Sequence, residues 1–325
     1  MNKIIGRSRP WAPYALAGVG VLGTVLLSVL RVAMLPKLWD TDTGRFSSNV
    51  PAMIFAIVTV IVMVVLALHT TPKRINIPSS RALPTGLSAM AAGGVLGITA
   101  LYDTFRWIVG GILPQPGQIQ LTMLTHLVLC GMLLFGILGA VVLVLWGLQV
   151  IAESGTRRGM NTIGVLAPVM WAWCRLAWYE MSYASTIGWS EKGYDFVMVI
   201  CEMLFLFKLA RLVSGVGNAN FGEMLLYAFS TAMFALSGIV VRLWLYFGGN
   251  ADAYLTSKLV GGTDLGFGVF ALICGFALLR SYREEVSKAQ AEELEEDDEP
   301  YDPSLEPLLL FDAESDEYAA DDNQP

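Results

Sequence analysis

Eight apolar stretches, each long enough to cross a lipid bilayer, run between Trp11 and Arg280. A bilayer core about 30 Å thick needs roughly 20 apolar residues in a helix. Within lipid every backbone amide must be satisfied inside its own segment, so such runs are helices. The pattern predicts spans at 12–34, 50–69, 86–112, 121–151, 162–186, 194–214, 222–247 and 263–281. The expected fold class is an all-α polytopic membrane protein: a bundle of about eight transmembrane helices with a disordered acidic C-terminal tail.

Composition agrees with that class. Hydrophobic residues make up 55% of the chain and charged residues 15%, with mean hydropathy +0.57. A soluble domain carries about 25% charged residues. The net charge of −7 is unevenly spread. Residues 1–283 carry +9, and residues 284–325 carry −16, with Lys288 their only cation. The chain therefore divides into a transmembrane domain, 1–283, and an acidic tail, 284–325. Lys3, Arg7 and Arg9 precede the first apolar run as in a signal peptide. The run is too long for an ordinary signal core and no small-residue cleavage site follows it, so it reads as an uncleaved anchor.

Orientation follows from positive charge in the short loops. With the N-terminus cytoplasmic, the inner segments hold 13 Lys and Arg and the outer ones 7, leaving Arg175 within a span. The bias favours cytoplasmic N- and C-termini. Gly93 with Gly97, and Gly262 with Gly266, form two GxxxG pairs that read as packing faces within one bundle. No repeat relates spans 1–4 to spans 5–8, so an inverted-repeat transporter architecture has no support in the sequence.

Ionisable residues inside spans are costly, which makes each a candidate site. Arg175 lies near the middle of span 5, with Trp171 and Tyr179 four residues away on either side. Both rings share its helix face and offer cation–π contact. If spans 5 and 6 form a hairpin, Glu202 reaches the same depth as Arg175 and is its expected partner. The two form either a packing ion pair or a substrate contact. Nearer the outer surface, Asp103, Arg106, His126, Glu180 and Arg242, with Tyr102 and Tyr183, form an expected polar layer. They either line an outward-facing cavity or snorkel to headgroups.

The rest of the chain carries little chemistry. Cys130, Cys174, Cys201 and Cys274 lie in apolar spans with no CxxC spacing and read as buried structural thiols. His69 and His126 are the only histidines, which excludes a multi-histidine metal site. Asp40 to Gly44 opens like a calcium loop but lacks the later ligands, and reads as a turn held by Asp side chains. No catalytic residue, metal or cofactor is expected, and nothing suggests nucleic-acid binding. In the tail, Leu308, Leu309, Leu310 and Phe311 form an apolar island between acids, a pattern that suits docking to a cytoplasmic protein.

Leu38 to Gly44, Pro168 to Arg175, Ser190 to Asp195 and Leu204 to Arg211 resemble stretches of uncharacterised multi-pass membrane proteins of clostridial-type bacteria. The likeness touches a minority of the chain and brings no activity. It implies a bacterial cytoplasmic membrane. Three functions remain in view. The favoured one is a membrane-embedded accessory, sensor or scaffold, with the bilayer and a cytoplasmic protein as partners. The alternative is a small-solute transporter using a polar cavity around Arg175 and Glu202. The third is an intramembrane enzyme.

Overall fold

The structure is a computed structural model describing residues 10–40, 45–46, 49–70, 83–110, 123–152, 162–182, 189–214, 220–247 and 261–297. Eight long helices and one single-turn helix account for nearly all of them: α1 (Ala12–Leu38), α2 (Val50–Leu68), α3 (Leu83–Gly110), α4 (Met123–Ile151), α5 (Thr162–Val165), α6 (Ala167–Ser182), α7 (Trp189–Ser214), α8 (Phe221–Phe247) and α9 (Gly262–Asp297). Trp39 pairs with Phe46 and Asp40 with Arg45 in a two-residue antiparallel ladder. It brackets the expected Asp-rich turn, of which residues 41–44 lie outside the described residues.

Among the described residues, six helices are long and apolar enough to cross a membrane: α1, α2, α3, α4, α8 and α9. Two of the eight expected spans fall short of that measure. The fifth, expected to be continuous from 162 to 186, breaks at Leu166, between α5 and α6. Pro168 has no amide hydrogen to give the carbonyl of Gly164, so the helix loses a bond at that turn. Beyond the break, α6 is only 16 residues long. The sixth, α7, has the length but carries Glu191, Lys192, Asp195, Glu202, Lys208 and Arg211. Four ionisable side chains on these two helices (Arg175, Asp195, Glu202 and Lys208) have an ionisable partner in contact. A hydropathy sum counts each as a full cost and does not register its partner.

The helices are patterned for lipid. On α2 the buried face is Ala52, Ala56, Thr59 and Met63, at helical spacing. The opposite face shows Ile54, Ile57, Val58 and Ile61 to the outside. Small residues point inward and large aliphatic ones outward, since lipid tails solvate the latter well and close backbone approach needs the former. Polar side chains are satisfied locally. The hydroxyls of Thr24, Ser28, Thr59 and Thr104 each donate to the carbonyl four residues earlier. Asn49 caps α2 by accepting from the amide of Ala52 at 3.2 Å.

Helices α3 and α4 run antiparallel along a glycine seam. A Cβ on Gly93 would stand 2.9 Å from the carbonyl oxygen of Ala140, and one on Gly97 3.3 Å from Ala140 Cβ. The first GxxxG pair is thus a packing face within the bundle. So is the second: Gly262 and Gly266 lie against Val95 and Ala92 of α3.

Burial sorts inner from outer helices. The most apolar window of α8 is 78% buried, whereas that of α2 is only 22% buried. Residues of α9 touch five other helices. Gly266 meets α3, while Phe270 meets Trp146 of α4 and Phe205 of α7, with ring centroids 5.9 and 5.6 Å apart. Phe267 stacks on Trp171 of α6 at 5.5 Å, and Phe276 packs edge-on to Phe229 of α8 at 5.6 Å. The chain divides into two compact units, Met1–Ser281 and Tyr282–Pro325. Within the second, residues 298–325, and with them Leu308 to Phe311, lie outside the described residues.

Candidate functional site

Arg175, Glu202, Asp264, Arg242 and Asp195 form a continuous chain of ion pairs inside the bundle. It joins α6, α7, α9 and α8. Arg175 donates from Nη1 to Glu202 Oε2 at 2.9 Å. Its Nη2 donates to Asp264 Oδ1 and, at 3.4 Å, to the hydroxyl of Tyr179. Arg242 donates from Nη1 to Asp264 Oδ2 at 2.7 Å and from Nη2 to Asp195 Oδ1 at 3.2 Å. Glu202 and Asp264 are each 1% exposed, Arg175 6% and Arg242 8%. So little contact with solvent means that the charges rely on one another for compensation.

Asp264 is the bridge, because each of its oxygens takes a different arginine. It sits in the first turn of α9, where the partial positive charge of the helix end favours an anion. Gly261 precedes that turn, and its carbonyl accepts from the amide of Leu265 at 3.0 Å. A Cβ there would collide with Asp264 Oδ2 and stand 2.5 Å from Arg242 Nη1. The glycine is what lets the salt bridge press against the backbone.

Aromatic rings frame the cations. The guanidinium of Arg175 lies 5.2 Å from the Trp171 ring centroid and 5.4 Å from that of Tyr179. Arg31, on α1 and 2% exposed, lies over the Tyr194 ring at 4.3 Å. Tyr179 and Tyr194 belong to an apolar cluster with Leu27, Met198, Val199, Met233 and Phe234. A further pair, Lys208 with Glu223, ties α7 to α8 elsewhere along their length, and Asn220 also donates to Glu223 at 3.2 Å.

The pair expected between Arg175 and Glu202 is present in the structure, within a larger assembly. Arg242, expected in a separate outer layer, instead joins this chain through Asp264. Glu180, expected in the same layer, is exposed on α6, and Tyr102 is exposed on α3. Asp103 and His126 are half-buried on α3 and α4. The side chain of Arg106, and Tyr183 as a whole, lie outside the described residues. Sequence reasoning missed Asp264, Asp195 and Arg31. All three lie toward span ends, where a charge looks like an ordinary interfacial residue. Of the four cysteines, Cys130 is exposed on α4 rather than buried, Cys174 and Cys201 are half-buried, and Cys274 is buried.

A small cavity of about 20 Å³ lies among α4, α5, α6 and α7, lined by Trp146, Val165, Pro168 and Leu206 among other apolar residues. Among the described residues no group of three or more His, Cys, Asp or Glu is placed to hold a metal ion. The geometry suits a clasp, with two arginines and three carboxylates holding four helices in one register. No family model, curated protein or solved structure matches the chain.

Proposed function

We propose that this membrane protein is an accessory, sensor or scaffold of a bacterial cytoplasmic membrane, with eight membrane-crossing helices, cytoplasmic termini and an acidic tail that engages a cytoplasmic protein. The observation that carries this reading is the occupation of Arg175. Its guanidinium, the strongest candidate for a substrate contact, is already committed to Glu202, Asp264 and Tyr179. A residue saturated by its neighbours supports a fixed bundle better than an open binding site. The test is purification of the full chain, and of a chain lacking residues 297–325, from the same native membranes. The reading expects a stoichiometric partner that is lost with the tail. Recovery of the full chain alone would overturn it.

The transporter reading has one observation in its favour, the break at Leu166 that makes α5 and α6 a discontinuous helix. Transporter sites are commonly built on such helices. Under it, proteoliposomes take up a solute, and uptake survives removal of residues 297–325.

A further inference from the structure

Glu202 is used asymmetrically. Its Oε2 accepts from Arg175, while its Oε1 is fully buried and has no hydrogen-bond partner among the described residues. Asp264, which shares the same arginine, has both oxygens held by guanidinium groups. An ionised carboxylate with one oxygen unsolvated in an apolar interior is costly, whereas a neutral carboxyl is much less so.

We propose that Glu202 is an intramembrane proton-binding site that holds its proton on Oε1 at neutral pH. The carboxyl O–H bond forms as one O–H bond of a hydronium ion breaks, water is left behind, and the carboxylate charge is cancelled. Arg175 keeps its charge and its contact with Asp264. The groups facing Glu202 are Arg175 from α6 and Asp264 from α9, with Tyr179 of α6 beyond Arg175 and Arg242 of α8 and Asp195 of α7 beyond Asp264. Arg31 of α1 meets α7 at Tyr194, about two helical turns away. A proton also needs no cavity, and the cavity described above is lined by apolar residues outside this chain of pairs. The inference stands independently of the scaffold reading, since one concerns a proton and the other a partner protein.

The test is infrared difference spectroscopy of the full chain in lipid nanodiscs, with the glutamate carboxyls isotopically labelled. Exposed carboxyls are ionised at neutral pH. A protonated-carboxyl band that persists at neutral pH and shifts with the glutamate label is therefore expected, and Glu202→Gln should remove it. If that variant does not fold, Glu202→Asp decides, because the band should then follow an aspartate label instead. Absence of the band at neutral pH in the wild-type protein, or its survival in Glu202→Gln, would overturn the proposal. A carboxylate held by a bound water gives the first of these negative results.

Discussion

Replacing Asp264 with asparagine keeps the shape of the side chain and removes the charge that Arg175 and Arg242 share. Stranding one partner of a buried pair typically costs about 3–5 kcal/mol. Asp264→Asn is therefore expected to lower the melting temperature in detergent more than Glu202→Gln does, because Asp264 serves two cations and Glu202 one. Equal losses would mean that the arginines are compensated elsewhere. The shared partner also decides a charge-swap experiment. From the sequence, Arg175→Glu with Glu202→Arg is expected to restore part of the loss from either single change. The structure reverses that expectation, because Glu at position 175 would face Asp264. The double variant should be no more stable than Arg175→Glu alone, as a double-mutant cycle measured by thermal melting would show. At the backbone, Gly261→Ala is expected to destabilise the bundle by pushing a methyl group into the Arg242 pair. Gly262→Ala should be tolerated, since its new Cβ stands 3.4 Å from Val95.

At the level of helices, the α3–α4 seam offers a contrast between adjacent positions. Gly93→Leu forces a side chain against the backbone of Ala140, and overpacking of this kind costs about 1–3 kcal/mol. A Cβ on Gly94 meets nothing within 4 Å, so Gly94→Leu should leave melting unchanged. If the two behaved alike, the seam would not be a close packing face. The GxxxG spacing made this contact legible in the sequence, because small residues four apart share a helix face. The Arg175–Glu202 contact was legible for a similar reason, since a hairpin places residues equidistant from its tip at one depth. Asp264 could not be found that way. It is 89 residues from Arg175 and has no hairpin relation to it. A first-turn acid also looks the same in sequence whether it faces headgroups or a buried arginine. The break at Leu166 had a visible cue in Pro168, but proline is common enough in membrane helices that its presence does not settle whether the helix continues.

For the whole molecule, topology is the first matter to measure. The 13-to-7 excess of positive charge predicts that reporter fusions after Arg81, Arg158 and Arg283 report cytoplasm, and fusions near Lys37 and Lys258 report the outside. An extracytoplasmic C-terminus would mean that α6 or α7 fails to cross. Eight crossings require that these two helices, weak by hydropathy, be carried across by their company. The position of α9 bears on how that company assembles. A ribosome delivers α9 after the helices it packs against, yet α9 supplies the carboxylate shared by Arg175 and Arg242 and the rings that α4, α6, α7 and α8 pack against. A nascent chain halted before Gly261 would hold both arginines without that carboxylate. Translation of α9 is therefore the step at which the chain of ion pairs can close.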